Sequence, residues 1–176
     1  VKTEEFDQNT NLFNCKNGTY NLETGTLQKH NPEDYISKIS NVYYDPAAPS
    51  TEIEKFMNTI MQGNKENIEY IQKILGLALM GNTDEEKLFI FYGPSTRNGK
   101  STLVETYLSM IRDYGTTMQP ESLALSKKDS RSASSDIARL KGVRFVDAPE
   151  PPQSMRLDAA LIKQLTGNDM ITARKI

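Results

Sequence analysis

The apolar and polar positions divide the chain into a β-rich start, a helical middle and a remainder in which strands alternate with helices. Residues 11–30 alternate and turn, and Asn17-Gly18 between two short runs predicts a β-hairpin. Thr24-Gly25 predicts a second turn before another short run. We therefore expect residues 1–48 to form a small β-rich segment.

Two helices are predicted within residues 49–84. Ser50-Thr51 with Glu54 resembles a capping box, which would open a helix from residue 52 to about residue 62. After a Gly-Asn break, a second helix is predicted from residue 65 to about residue 80, where Gly81 ends it. Its apolar side chains recur at three- and four-residue spacing, which marks one buried face: Ile68, Ile71, Leu75, Ala78 and Leu79. This pair is expected to form a helical packing subdomain.

From residue 85 onward the pattern predicts a parallel α/β sheet. The apolar run KLFIFYG predicts a buried strand at residues 87–92, and STLVETYLSMIRDYG predicts the helix after it. VRFVDAPE predicts a second buried strand at residues 143–146, which ends in acids, and residues 158–166 predict another helix. Shorter elements are predicted as well: a strand at 116–118, a brief helix in IARLKG and a strand at 170–176. Strands that alternate with helices favour parallel pairing.

Composition excludes several classes of protein. Hydrophobic residues make up 37% and charged residues 25%, as in ordinary globular domains. No apolar run approaches the roughly 20 residues of a membrane span, and VKTEEFDQ does not resemble a signal peptide. A lone Cys15 allows no internal disulfide and suits a reducing cytosol, and with His30 as the only other soft ligand a structural zinc site is excluded. Any metal should be a hard cation held by oxygen.

Charge is distributed unevenly although the net charge is only −2. Residues 1–60 carry nine acidic and five basic residues, whereas residues 126–144 carry six basic and two acidic residues. The basic residues of this stretch are Lys127, Lys128, Arg131, Arg139, Lys141 and Arg144. Such a stretch could bind the phosphates of a nucleic acid, or it could be a solvated loop. Both interpretations stay open at this point.

The segment GPSTRNGKST has the features of a phosphate-binding loop. Such a loop needs converging backbone N–H groups, a helix N-terminus aimed at the anion and a lysine for the terminal phosphates. Glycines permit the backbone geometry, and the hydroxyl after the lysine ligates Mg²⁺. The candidate binding residues are Gly93, Asn98, Gly99, Lys100, Ser101 and Thr102. One departure is length, since five residues rather than four separate Gly93 from Gly99.

Hydrolysis of ATP would also need a carboxylate near Mg²⁺ and one that orients the attacking water. Asp147 and Glu150 stand at the end of the predicted strand in VRFVDAPE. They are not adjacent, so the pairing is looser than a direct Asp-Glu dipeptide. The alternative to a catalytic role is that both acids only cap the end of the strand.

Four segments in the right order make the chain resemble the superfamily 3 helicases, in particular the helicase domain of phage and plasmid primase-helicases. They are NLFNCKNGTYNLETGTLQKHNPEDY, YGPSTRNGKSTL, ARLKGVRFVDAPEP and LIKQLTGNDMITAR. The second is similar to motif A of the family, and the third runs into motif B. Asp147 falls where the family is usually apolar or Asn, so Glu150 is favoured as the catalytic acid.

The resemblance implies an AAA+-like P-loop NTPase with ATP and Mg²⁺ as cofactors and single-stranded DNA as partner. It implies that Lys100 stabilises the β- and γ-phosphates, that Ser101 and Glu150 serve the Mg²⁺ site and that Glu150 polarises water. It also implies a homo-hexameric ring in the full-length protein and a location in the cytoplasm of a bacterial host. The residues that position the DNA hairpin would be Lys163, Thr166, Asp169, Thr172 and Arg174. From the residues alone, an ordinary core helix with a capping turn is the favoured interpretation of LIKQLTGND.

By the same resemblance the chain is a C-terminally truncated motor, with residues 85–176 a partial P-loop core. The family's motif C and arginine finger would lie beyond Ile176, and a primase site would lie upstream. A later strand would sit between the two strands at 87–92 and 143–146, so we do not expect these two to pair directly. Two rival functions stay open: a small-molecule or nucleoside kinase with the same loop, and a module whose ATP binding only drives assembly.

Overall fold

A computed structural model describes residues 2–93, 96–125, 136–167 and 171 of the 176-residue chain. The order of elements is a three-stranded antiparallel sheet, two helices, a further helix and a two-stranded parallel sheet, with a short helix near the end. The architecture is mixed α/β, as predicted. Among the described residues, no helix is long and apolar enough to cross a membrane.

The N-terminal sheet contains β1 (Leu12–Cys15), β2 (Gly18–Asn21) and β3 (Thr26–Gln28). Cys15 pairs with Gly18 across the first turn, and Asn21 pairs with Thr26 across the second, so both predicted hairpins are confirmed. Gly18 is required by close packing, because a Cβ there would lie 2.5 Å from the carbonyl oxygen of Gln28.

The two helices are α1 (Thr51–Ile60) and α2 (Lys65–Met80). Asn64 caps α2 by accepting a 3.0 Å hydrogen bond from the backbone N–H of Asn67, and Gly81 ends it in the left-handed conformation at φ 63°. The capping box predicted for α1 is wrong in its bonding. Ser50 Oγ bonds the Glu54 carboxylate, and no side chain caps a backbone N–H of α1.

The most buried residue of α2 is Ile74, which the predicted apolar face left out. The five predicted side chains at positions 68, 71, 75, 78 and 79 are half-buried. Leu75, Ala78 and Leu79 pack against the main core, so the face was assigned correctly although its centre was displaced.

The third helix, α3 (Lys100–Ile111), leads through a 3-10 turn at Arg112–Tyr114 into β4 (Gly115–Thr117). β4 pairs in parallel with β5 (Phe145–Asp147), with Thr116 opposite Val146. The predicted parallel pairing is therefore present between these two short strands. β5 is less buried than predicted, because Val146 is 37% exposed.

The buried strand predicted at residues 87–92 is wrong. These residues belong to no strand, and Leu88, Ile90 and Tyr92 are 47%, 76% and 84% exposed. A strand requires a neighbour that pairs its N–H and C=O groups, and no described segment supplies one here. Within the described residues no ladder joins this segment to β5, and because the segment forms no strand, the expected strand order stays a prediction.

The end of the described chain contains a helical turn at residues 136–138 and the helix α4 (Ala159–Thr166). The helix predicted at residues 158–166 is thus confirmed, and Asp158 caps it by accepting hydrogen bonds from the N–H groups of Ala160 and Leu161 at 3.0 and 3.1 Å. The strand predicted at 170–176 lies outside the described residues except for residue 171, which has no regular structure.

One buried cluster joins the N-terminal sheet to α3. Its members are Phe13, Cys15, Tyr107, Ile111 and Tyr114. The rings of Phe13 and Tyr114 lie 4.7 Å apart, and Tyr107 lies edge-on to Phe145 at 5.0 Å. The helix that follows the Gly-rich loop is thus held from both sides, by the β-rich segment and by the parallel strands.

Candidate nucleotide-binding site

The Gly-rich loop ends where α3 begins, and Gly99 makes that junction possible. Gly99 is the N-cap of α3 at φ 81°, a left-handed conformation that favours glycine. A Cβ there would lie 2.4 Å from Cγ2 of Ile60 in α1. No side chain among the described residues caps the helix, so its first N–H groups carry the partial positive charge of a helix N-terminus.

Three residues of the loop converge beside this helix N-terminus. Lys100 Nζ donates a 3.0 Å hydrogen bond to Asn98 Oδ1. A Cβ on Gly93 would lie 2.0 Å from Asn98 Nδ2 and 3.5 Å from Lys100 Nζ, so a larger residue there would have to displace the Asn98 side chain. The first glycine, the amide and the ammonium group of the predicted loop are therefore brought together. Residues 94–95, which include the extra position of the loop, lie outside the described residues.

Ser101 and Thr102 form the exposed first turn of α3. A hydroxyl there, an ammonium group beside it and uncapped helix N–H groups form a donor set that suits a phosphate chain with its cation. The residues present thus fit a magnesium nucleotide.

Asp147 lies at the carboxyl end of β5, which is the edge where parallel α/β sheets place their ligands. Its backbone oxygen accepts a 2.8 Å hydrogen bond from the N–H of Met118, which extends the β4–β5 ladder by one residue. Burial raises the pKa of the Asp147 carboxyl above its ordinary value of 3.8, and the negative charge of Glu105 adds to this. Glu105 is on α3, four residues after Ser101, so Asp147 faces the helix that carries the loop.

Glu150 is exposed and follows β5 by three residues. Within the described part of the chain, no hydrogen bond or ion pair joins Asp147 or Glu150 to Lys100 or Ser101. The structure therefore places Asp147 close to α3 and leaves Glu150 in the loop beyond. The choice between the two acids stays a prediction.

The predicted DNA-hairpin segment is described only in part. Lys163 is exposed on α4, and Thr166 Oγ1 donates a 3.0 Å hydrogen bond to the carbonyl oxygen of Ile162 in the same helix. Asp169, Thr172 and Arg174 lie outside the described residues. Lys163 and Thr166 lie in an ordinary helix, as expected if the segment is only a core helix with a capping turn. Their role toward DNA stays a prediction.

The basic residues of the stretch 126–144 lie in different environments. Lys127, Lys128 and Arg131 lie outside the described residues, and Arg139 and Lys141 are exposed. Arg144 belongs neither to a phosphate-binding loop nor to a solvated one. Its guanidinium donates hydrogen bonds of 2.5 Å to the oxygen of Leu79 and 2.7 Å to the oxygen of Leu12, and it lies 4.6 Å from the ring centroid of Tyr114.

Two polar links of this kind were not predicted from the sequence. Arg144 joins β5 to the ends of β1 and α2, and burial lowers its pKa. Tyr107 Oη donates a 2.6 Å hydrogen bond to the oxygen of Leu75, and burial raises the pKa of this phenol. Both side chains donate to backbone carbonyls far away in the sequence, and periodicity contains no signal for such contacts. Together they hold α3 and β5 in place around the loop.

Comparison with known proteins places the chain among viral relatives. Residues 1–62 match the family described as D5 N terminal like. The chain is 33% identical over 173 residues to the "Putative helicase" of Acanthamoeba polyphaga mimivirus, which covers 97% of this chain and 18% of that protein. It is also 25% identical to a putative helicase of Invertebrate iridescent virus 3, over 97% of this chain and 18% of that protein. A putative helicase of Frog virus 3 is 25% identical as well, over 86% of this chain and 15% of that protein. The chain thus spans less than a fifth of the curated relatives it matches.

Proposed function

We propose that this chain is the ATP-binding and ATP-hydrolysing portion of a replicative DNA helicase, because it is similar to viral proteins named putative helicases and its residues 1–62 match the family described as D5 N terminal like. In this proposal it forms part of an AAA+-like P-loop core, and hydrolysis is coupled to translocation on single-stranded DNA. The relatives are several times longer than this chain, so the complete motor would include segments in addition to these residues. The viral sources of the relatives give no support to a bacterial host.

Nucleotide binding is supported most directly by the convergence of Gly93, Asn98 and Lys100 at the N-terminus of α3. A chance Gly-Lys-Ser-Thr at a helix start would not be expected to bring a second glycine, an amide and an ammonium group together. Here a Cβ at Gly93 or Gly99 would approach neighbouring atoms to 2.0 or 2.4 Å. A compact loop with an ammonium group at a helix N-terminus is the arrangement that binds phosphate chains.

In the proposed complex, the N–H groups of Gly99 to Thr102 and the Lys100 ammonium bind the phosphates, and Asn98 orients the ammonium. Mg²⁺, when bound, neutralises charge on the phosphates, and the hydroxyl of Ser101 and the carboxylate of Glu150 would hold it. Glu150 would polarise the attacking water, as the family resemblance implies. Asp147, held at the edge of the sheet near Glu105, would assist from the neighbouring strand.

Titration with Mg-ATP tests the proposal directly. We expect the wild-type chain to bind and the Lys100→Ala variant to lose binding, because the ammonium group supplies the charge opposite the terminal phosphates. Lys73→Ala is the matched control, since Lys73 is exposed on α2, where it pairs with Glu69, and lies outside the Gly-rich loop. Equal affinity in the wild-type and Lys100→Ala proteins would show that the site is assigned wrongly.

DNA-stimulated ATP hydrolysis by the full-length protein separates this function from its rivals. A motor hydrolyses ATP faster when single-stranded DNA is present. A small-molecule or nucleoside kinase would transfer phosphate to an acceptor without DNA, and an assembly module would bind ATP with no turnover. Stimulation that is lost in the Lys100→Ala full-length protein is the result we expect.

A further inference from the structure

A second polar site lies away from the Gly-rich loop, in a cleft between the N-terminal segment and the turn that precedes β5. Its volume is about 920 Å³, within the range of ligand-binding sites. One wall carries Phe6, Asp7, Ser37 and Lys38, and the other carries Arg139 and Lys141. None of these six residues belongs to the proposed nucleotide site.

The charged groups of the cleft are three cations and one carboxylate: Lys38, Arg139 and Lys141 against Asp7. Lys38 and Lys141 form no ion pair with any carboxylate that the structure describes. The pair between Arg139 and Asp136 is exposed at 3.8 Å and is therefore weak. The Asp7 carboxylate accepts hydrogen bonds from the N–H and Oγ of Ser37. The cleft thus has an excess of positive charge.

The backbone at Lys38 is held in place by hydrogen bonds to side chains. Its carbonyl oxygen accepts hydrogen bonds from Asn14 Nδ2 at 3.0 Å and Tyr114 Oη at 3.3 Å, and the next N–H, of Ile39, donates to Asp113 Oδ2 at 3.1 Å. Its side chain reaches the opposite wall of the cleft and lies against Gly142, where an added Cβ would be only 2.9 Å from Lys38 Cε. The backbone that carries this cation is therefore ordered before an anion binds, and only the side chain remains to be fixed.

Phe6 adds an aromatic surface beside these cations. The ring is 37% exposed and is supported edge-on by Tyr35 at 6.0 Å between centroids. Single-stranded nucleic acid is bound by this combination, in which cations follow the backbone phosphates and bases stack on aromatic rings. An acidic peptide would use the cations but has no need for an exposed ring.

We propose that this cleft binds single-stranded nucleic acid, with Lys38 and Lys141 on backbone phosphates and Phe6 stacked on a base. The site rests on the proposed helicase function for the choice of ligand and adds a contact separate from the predicted hairpin segment. Arg139 lies at the rim and contributes charge without fixed geometry. The cleft would give the strand a second point of attachment near the parallel strands.

Fluorescence anisotropy with labelled dT20 tests the cleft in the 176-residue chain and in the full-length protein. The Lys38→Gln/Lys141→Gln double variant should weaken binding about tenfold. It should also lower the slope of log Kd against log salt by about 1.4, since each single-strand phosphate contact contributes about 0.7. Lys29→Gln/Lys65→Gln removes the same charge from exposed lysines outside the cleft and should change neither quantity appreciably. Phe6→Leu should weaken binding about fivefold or more, with the slope unchanged.

An unchanged affinity and slope in the cleft double variant, or an equal loss in the control double variant, would overturn the proposal. Polyglutamate of equal charge is the competing probe. If it binds as tightly as dT20 and Phe6→Leu has no effect on either ligand, the cleft accepts an acidic protein segment and the nucleic-acid assignment is wrong. Mg-ATP titration of the same variants separates the two proposals, because cleft variants should bind ATP normally and Lys100→Ala should retain its dT20 contact at the cleft.

Discussion

Arg144 Nη2 donates a 2.7 Å hydrogen bond to the carbonyl oxygen of Leu12, across 132 positions of the sequence. The same guanidinium bonds Leu79 and covers the ring of Tyr114, so one side chain on the segment leading into β5 contacts β1, α2 and the turn after α3. Arg144 therefore joins the β-rich segment to α2 and to the turn after α3 by polar contacts, in addition to the apolar core.

Replacing Arg144 with Met should lower the free energy of unfolding by about 2–4 kcal/mol, because two charge-assisted hydrogen bonds and the contact with Tyr114 are lost. Arg144→Lys should recover only part of the loss, since an ammonium group cannot fork to two carbonyls. Urea unfolding followed by circular dichroism measures both. Arg139→Met, at an exposed site, should stay within about 0.5 kcal/mol of wild type. A similar small effect at Arg144 would contradict the proposed structural role.

Adding a methyl group at Gly99 should weaken nucleotide binding and stability together. Gly99→Ala places a Cβ 2.4 Å from Ile60 and forces alanine into φ 81°, which costs about 1–2 kcal/mol before the clash is counted. Gly76→Ala is the matched control, because nothing lies within 4 Å of its Cβ position in the interior of α2. That control should stabilise the protein by up to about 1 kcal/mol.

Thermal unfolding and Mg-ATP titration of both glycine variants give the comparison. Shortening the neighbour in a Gly99→Ala/Ile60→Ala double variant should relieve the clash and leave the cost of the backbone conformation. If Gly99→Ala behaves like Gly76→Ala, the loop geometry described above is incorrect.

The two acids after β5 should differ in their effect on turnover. In the full-length protein, Glu150→Gln should leave ATP binding nearly intact and lower kcat at least tenfold, because its carboxylate would act on water and not on the phosphates. Asp147→Asn should lower kcat less than Glu150→Gln does. Steady-state hydrolysis assays with separate binding titrations measure this. A larger loss for Asp147→Asn would reverse the assignment, and the position of Asp147 beside α3 would then explain it.

Asp147 should make stability fall as pH rises. Its pKa is raised in the folded chain, chiefly by burial, so between the ordinary value of 3.8 and the folded value the native state binds more protons than the unfolded state. Ionisation therefore opposes folding above this window, and protonation removes the penalty below it. Asp147→Asn should be slightly more stable than wild type at pH 7, with the difference vanishing below pH 3.8.

Urea unfolding at several pH values compares the two proteins. Glu105→Gln removes the negative charge that adds to the shift, so in that background the pH-dependent gain from Asp147→Asn should shrink. A gain in stability that is larger at low pH than at neutral pH would show that the sign is wrong.

Residues 87–92 should exchange their amide hydrogens rapidly in the 176-residue chain. Leu88, Ile90 and Tyr92 are exposed while Phe89 and Phe91 are half-buried, so the alternation of a strand is present without a partner strand. In a longer protein with a neighbouring strand, these amides should become protected, because ladder hydrogen bonds would form. Hydrogen exchange with mass spectrometry measures this, with β1 and β2 as segments protected in both proteins. Rapid exchange in the longer protein would contradict the expected pairing.

Local chemistry determined much of this chain from sequence alone. Asn17-Gly18 specified the first hairpin, Gly81 ended α2, and Asp158 opened α4, because turns and caps depend on residues within a few positions of one another. The start of α3 after Gly99-Lys100 belongs to the same class. The family resemblance also came from sequence, and the viral relatives that are 25–33% identical to this chain are named putative helicases.

Tertiary structure decided what depends on distant partners. KLFIFYG has the composition of a strand, yet residues 87–92 form none, because a ladder needs a second segment whose N–H and C=O groups are in register. Arg144 appeared to be one more charge in a basic stretch, and only the fold places carbonyls of Leu12 and Leu79 within its reach. The cleft around Lys38 and Lys141 likewise joins residues about 100 positions apart, a proximity that chain packing creates and no local pattern records.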